Sequence, residues 1–337
     1  MKRSEAAVKD RVRAVWQAFA AGDACGMPTE FMCPEDIRKV FGDLMPGGLP
    51  EGILPAERSL THGILETGAV TDDTEQNLYL LAEAKKRGGV TLEGVLGALE
   101  AWIAETGAVE KHYIGPSSLK ALESIRKGTP VAEAGIGGTT CGGIMRTPSA
   151  FLWKPEQSEE ELEKNILTSL LPTHNTSEAL EAAGAYGFAL RAAFNGGSVE
   201  EIFEAAERGG KRLIAHAAWT GCAPSSVRRI REAGKLAETL DEEELLDHVY
   251  NLWGTGLPSA DVCGAVFALF ALAGGDVWKV IRLATVIGGD TDTIAALAAA
   301  LSAAYAGGHN IPEEVLEKVL SQNRELFEAK YPEALEG

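Results

Sequence analysis

The chain has 337 residues, 45% of them hydrophobic and 7% aromatic, enough apolar sequence for one large core or two ordinary ones. Its 49 Asp and Glu outnumber 31 Lys and Arg, giving a formal net charge of −18. That balance argues against nucleic acid or an anionic membrane as a partner. A small anionic ligand stays open, because a bound cation reverses the local field.

In chain order, residues 4–21 read as a helix, with Val8, Val12, Val15, Trp16 and Phe19 at helical spacing. Gly22-Asp23 reads as its stop, followed by a Gly/Pro loop through Pro28. Residues 41–70 hold many Gly and Pro and little periodicity, the pattern of a long functional loop. Thr71 or Asp72 caps a helix running to Lys86, with Gly88-Gly89 as its stop. Residues 91–105 and 117–127 are helical, and 135–148 form a Gly-rich loop leading into a helix. Further helices are expected at 158–171, 176–195, 198–218, 225–238, 242–252, 260–273, 276–287, 291–306 and 312–329. No stretch shows the sustained two-residue alternation of a strand. The expectation is a single all-α domain over 1–337, compact, with long loops at one face.

Cys25, Cys33, Cys141, Cys222 and Cys263 are odd in number and widely spaced, without a CxxC pair. Neither a zinc site nor a disulfide framework is indicated, which suits reduced thiols in a cytoplasmic protein. No apolar signal core follows Met1-Lys2-Arg3, and no run is long enough to span a bilayer. A monomer is the default expectation.

Two acidic segments carry most of the functional information: Thr71-Asp72-Asp73-Thr74 and Gly288-Gly289-Asp290-Thr291-Asp292-Thr293. Either alone reads equally as a helix cap with first-turn acids. Both, however, abut apolar runs, and buried carboxylates need a cation or a full set of hydrogen bonds. A helix N-terminus repels cations, so two such starts loaded with Asp point to a positive partner. Hard divalent cations take carboxylate and hydroxyl oxygens.

These two segments, with Gly22-Asp23-Ala24-Cys25-Gly26-Met27-Pro28-Thr29-Glu30-Phe31 before them, resemble the motifs of the ADP-ribosylglycohydrolase family, in the family's order. The resemblance implies an orthogonal all-α bundle with a metal-centred cleft holding two Mg²⁺, or Mn²⁺ in some members. By motif, Thr71, Asp72, Asp73, Asp290, Asp292 and Thr293 correspond to metal ligands, with Asp292 shared between the ions. Glu30 and Asp292 correspond to the catalytic carboxylates. Asp23 also matches, and reads equally as a loop-fixing hydrogen-bond acceptor.

Residues 135–146 resemble the family's Gly-rich diphosphate loop, Asn-Gly-Ser/Gly/Pro-x-Met-Arg. Gly142, Met145 and Arg146 match, Gly143 is a tolerated variant, and Cys141 stands where Asn is common. Glycines let backbone amides approach phosphate oxygens. Gly138, Thr139, Gly142, Gly143, Met145 and Arg146 are therefore ligand-binding candidates, although Arg146 reads equally as a structural ion-pair partner. Thr173-His174-Asn175 resembles the family's Thr-His element, which makes His174 a candidate, and Ser117 occupies a family Gly-x-Thr/Ser position. Ala298–Ala306, where the family is Gly-rich, implies a narrower pocket. His62, His112, His216, His248 and His309 read as surface or packing residues.

The function implied is hydrolysis at C1 of an ADP-ribosyl group. A smaller riboside as substrate, or a non-catalytic ADP-ribose reader, are the alternatives.

Overall fold

The computed structural model describes residues 4–62, 64–110 and 114–336. His112 lies outside these residues. The described residues are helical, with two isolated β-bridges, Thr140 to Pro258 and Thr176 to Trp219, and no strand. The α-helices, in order, are α1 (Glu5–Gly26), α2 (Pro34–Phe41), α3 (Asp72–Arg87), α4 (Leu92–Thr106), α5 (Pro116–Arg126), α6 (Val131–Ala134), α7 (Gly142–Met145), α8 (Thr147–Leu152) and α9 (Glu159–Leu170). They continue with α10 (Ser177–Phe194), α11 (Val199–Ile214), α12 (Ser226–Ala237), α13 (Glu242–His248), α14 (Ser259–Ala273), α15 (Val277–Ile287), α16 (Thr291–Ala306), α17 (Glu313–Gln322) and α18 (Arg324–Lys330). No described helix is long and apolar enough to cross a membrane. No disulfide joins the five cysteines.

The chain divides into two compact units. The first comprises residues 1–74, 231–257 and 264–337. Its centre is the pairing of α1 with α16, against both of which α15 packs. Every residue of α16 from Thr291 to Ala304 is buried. Trp16 and Phe19 of α1 meet edge to face, ring centroids 5.8 Å apart. A satellite cluster of Met32, Ile37, Phe41, Met45 and Leu54 lies under the irregular segment that follows α2. The second unit comprises residues 75–230 and 258–263. It is built on α10, buried from Ser177 through Leu190 and packed against α7, α8, α9 and α11.

Three departures from the sequence expectation have local causes. First, α1 does not stop at Gly22 but runs to Gly26. A Cβ on Gly22 would lie 2.4 Å from the Ala295 carbonyl oxygen, and one on Gly26 would lie 2.4 Å from that of Thr291. These glycines let two helix backbones touch, a use of glycine that looks identical to a helix stop in sequence. Second, Pro34–Phe41 forms a helix that was not anticipated, with Pro at its first turn and Glu35 and Asp36 beside its positive end. Third, the expected 312–329 helix breaks at Asn323. The Asn323 side chain accepts from Val70 N at 3.1 Å and donates to Gly68 O at 2.8 Å, tying down the approach to α3.

The described residues between 42 and 70 contain only short 3-10 turns, as their composition implied. Gly88, at φ +68, ends α3 where the sequence placed a stop.

Gly26→Ala should destabilise by about 2–3 kcal/mol, because the new methyl meets backbone rather than a movable side chain. Gly97→Ala, in α4 with open space around it, should stabilise by about 0.5–1 kcal/mol. Urea midpoints of both variants check the pair; similar behaviour of the two would overturn the backbone-contact argument.

Candidate functional site

The acidic segments, 220 residues apart where they touch, meet in the first unit: Thr293 Oγ1 donates to Asp73 Oδ2 at 3.2 Å. Their placement follows from the α1–α16 contact. Thr291 Oγ1, at the start of α16, donates to Gly26 O at 2.9 Å, and Thr29 Oγ1 donates to Thr285 O at 2.7 Å. The 288–290 turn is held by main-chain bonds from Phe31 N to Gly289 O, Gly289 N to Met32 O, and Asp290 N to Thr255 O. Gly288 and Gly289, at φ +84 and +83, supply a backbone that other residues rarely adopt.

Asp23, on the last turns of α1, caps α3. Its carboxylate accepts from Thr71 N at 3.0 Å and from Thr74 N at 3.0 Å, and also from the Thr74 hydroxyl. This is the hydrogen-bonding reading of Asp23, applied to the helix that carries Asp72 and Asp73. Thr71 Oγ1 accepts from Asp73 N at 3.3 Å.

One oxygen each from Glu30, Asp290 and Asp292 lies within 4.8 Å of the other two, and all three side chains are buried. Thr71, Asp73 and Thr293 are buried alongside and Asp72 is partly buried. This crowding of like charges away from water pushes the carboxyl groups upward. Burial, and then Asp292, raise Glu30 well above the usual range, and do the same to Asp73. Burial with Asp290 raises Asp292 to about 7, and burial with Asp292 raises Asp23 to about 7. Protons must therefore neutralise part of the cluster unless cations do. The donor set is carboxylate and hydroxyl oxygen alone, which fits a hard divalent cation and not a soft one.

His62 lies in this site, contrary to its reading as a surface or packing residue. Its Nε2 sits against Glu30 Oε2, burial lowers its pKa despite the nearby Asp292, and its ring lies 6.5 Å from that of Phe31. Thr61 Oγ1 donates to Glu30 O at 2.7 Å and so holds the same loop to Glu30. A lone His in an irregular segment gave no periodic or motif signal. Three other histidines do sit as surface or packing groups: His216 beside Glu163, His248 against Trp253, and His309 near Gln17.

The remaining candidates lie in the second unit. Gly138 and Gly142 are needed there by close approach: a Cβ on Gly138 would fall 1.8 Å from Thr173 O, and one on Gly142 would fall 2.9 Å from His174 Cε1. The loop is pinned by Thr176 Oγ1 to Gly138 O at 2.6 Å and by Ser259 N to Thr139 O at 3.0 Å. Thr139 is exposed, Gly143 and Met145 are buried, and Arg146 is fully buried with Nη2 donating to Thr173 Oγ1.

His174 is also fully buried. Its Nδ1 lies 3.3 Å from Arg146 Nη2 and its Nε2 lies 3.1 Å from Thr140 Oγ1. Nδ1 also lies 2.8 Å from Thr173 Oγ1. Burial and Arg146 push its pKa well down, so the ring is neutral. Ser117 is half-buried, whereas its neighbour Ser118 is buried, with its Oγ 3.5 Å from the place of a Gly142 Cβ. Ala298–Ala304 are buried within α16, and Gly307, left-handed at φ +77, ends that helix.

Comparison with known proteins points to one family. The ADP-ribosylglycohydrolase family model matches residues 4–335. The chain belongs to the ADP-ribosylglycohydrolase family. It is 28% identical over 335 residues to the uncharacterized protein YegU of Escherichia coli, covering 97% of this chain and 96% of that one. It is 29% identical over 322 residues to an uncharacterized protein of Archaeoglobus fulgidus, covering 95% and 94%. An ADP-ribosylarginine hydrolase, Tri1 of Pseudomonas putida, is 26% identical over 319 residues, covering 92% of this chain and 74% of that protein. A solved structure described as an ADP-ribosylglycohydrolase-related protein complex shares the fold, with a TM-score of 0.63, 24% identity, and 97% and 99% coverage.

The raised carboxyl pKa values carry a sign. The folded, cation-free protein binds more protons than the unfolded chain between the ordinary Asp range and about 7. Unfolding releases those protons, so stability is greatest at the acid end of that window and is lost as pH rises through it. In chelator, Tm should therefore fall from about pH 5 to about pH 8. A flat or rising profile counts against buried, mutually repelling carboxyls.

Proposed function

We propose that the chain is a dinuclear-metal-dependent glycohydrolase that cleaves the C1 glycosidic bond of an ADP-ribosyl group on a protein or a small molecule. The convergence of Glu30, Asp290 and Asp292, joined to the Asp73 cluster through Thr293, is the observation that carries this reading. Thr71, Asp72, Asp73, Asp290, Asp292 and Thr293 would hold two Mg²⁺ or Mn²⁺. Such ions, when bound, supply Lewis acidity toward the ribose hydroxyls and offset the charge of the cluster.

The chain's own groups then do the following. With the cluster's charge offset, Glu30 is ionised and accepts a proton from the water that attacks C1. The bond from C1 to the leaving group breaks, its electron pair departs with that group, and the group takes up the proton that Glu30 removed from the water, directly or through solvent. Positive charge developing at C1 and the ring oxygen is met by the carboxylates of Asp292 and Asp73. Thr61 and His62 hold the loop against Glu30 and fix where that carboxylate points.

The Gly138–Arg146 loop lies in the second unit, with Thr139 exposed and the loop braced by His174; its resemblance to the family's diphosphate loop makes it the candidate for that group. In this reading the loop takes the diphosphate. A smaller riboside is the second reading. Cys141 favours it, since it is buried at the start of α7 where the family motif commonly carries Asn.

Mg²⁺ should raise the Tm of the wild-type protein, and Asp292→Ala should abolish both that rise and hydrolysis. Persistence of the Mg²⁺ response in the variant sinks the ligand assignment. Glu30→Gln should lower kcat by about 10²–10⁴-fold. Calorimetric titration of ADP-ribose into Mg²⁺-loaded protein should show metal-dependent binding. Metal binding without ADP-ribose binding selects the smaller riboside.

A further inference from the structure

Phe31 is the one described non-glycine residue with positive φ, at +59. A bulky side chain in this region is an outlier that its surroundings must enforce. Two main-chain bonds do so: Phe31 N to Gly289 O at 2.6 Å, and Gly289 N to Met32 O at 3.0 Å. Their effect is to turn the ring outward. Phe31 is 51% exposed, whereas Glu30 next to it is 7% exposed and Asp290 and Asp292 are at most 2% exposed. The ring is backed by His62 at 6.5 Å and 34°, and His62 in turn lies against Glu30. Leu60, in the same loop as His62, is exposed as well.

A half-exposed aromatic ring, one residue from a buried carboxylate cluster, suits a planar group that carries or shares positive charge. Ribose hydroxyls are matched by the buried oxygens. A leaving group attached to a macromolecule must instead reach solvent, and Phe31 is the solvent-exposed residue next to Glu30. We infer that Phe31, backed by His62, is the specificity-determining contact for a planar nitrogen leaving group, a guanidinium or a heteroaromatic base. This rests on the glycohydrolase reading above. The strained backbone is the device that presents the ring, and His62 positions it.

The test uses the full-length, Mg²⁺-loaded protein and three substrates: a peptide ADP-ribosylated on arginine, one ADP-ribosylated on serine, and NAD⁺. Phe31→Asn removes the ring but keeps a residue that tolerates the left-handed backbone, and Phe31→Tyr retains a ring. Phe31→Asn should lower kcat/KM by about five- to tenfold on a nitrogen-linked substrate and leave the serine-linked one within about twofold. Phe31→Tyr should restore the difference. ADP-ribose affinity, measured by calorimetry, should be the same in all three proteins.

Loss on the arginine-linked peptide identifies the guanidinium, and loss on NAD⁺ identifies the base. An equal loss on all three substrates, no loss on any, or weakened ADP-ribose binding in Phe31→Asn overturns the assignment. A wild-type protein that hydrolyses none of the three removes the glycohydrolase reading and this inference with it. Activity with an unmoved ratio removes only the role of Phe31.

Discussion

Mutual repulsion among buried carboxylates is the constraint on which the first unit depends. Asp23, Glu30, Asp73, Asp290 and Asp292 are all withdrawn from water, and burial together with neighbouring carboxylates raises the pKa of Asp23, Glu30, Asp73 and Asp292. Such an arrangement is unfavourable for folding by itself, since charged groups lose hydration and gain like-charged neighbours. It persists because α1 and α16 are fixed to each other by contacts that do not involve those charges. The backbone contact of α1 with α16 and the hydroxyl bonds of Thr29 and Thr291 set the positions first. The carboxylates then occupy places the scaffold dictates.

The same scaffold explains why helix starts carry the chemistry. A carboxylate within the first turn of α16 sits on an element fixed at that same turn by the backbone contact of Thr291 with Gly26. Asp23 strengthens this by spending its own acceptor capacity on α3's first amides. Its role is thus one step removed from Asp72 and Asp73: it decides where they are rather than what they hold.

Much of this was readable in the sequence, for physical reasons that differ by residue. The helical spacing of Val12, Val15, Trp16 and Phe19 in α1 is a direct consequence of burying that face, so this element was legible. The paired acidic segments stood out because each combined charge with apolar sequence. Gly22 was misread because a glycine that ends a helix and one that lets another helix in are the same letter. The α2 helix was missed because its Pro and short length look like loop. His62 could not be found at all, since its role arises from a non-helical segment folding back on Glu30. The glycines of the 135–146 loop were taken as room for a ligand, and at Gly138 and Gly142 the near neighbours are Thr173 and His174.

The contact of Gly26 with Thr291 has a consequence for how the molecule is made. During synthesis, the first helix is complete long before the segment it must embrace has been translated. Until then Val15, Trp16 and Phe19 have no permanent cover, and Asp23 and Glu30 have no Asp290 or Asp292 to oppose them. A nascent chain therefore passes through a long interval with an exposed apolar helix, in which chaperone capture or aggregation competes with folding. Closure of the first helix on α16 is a late, non-local step, and the acidic cluster forms only when that step is taken.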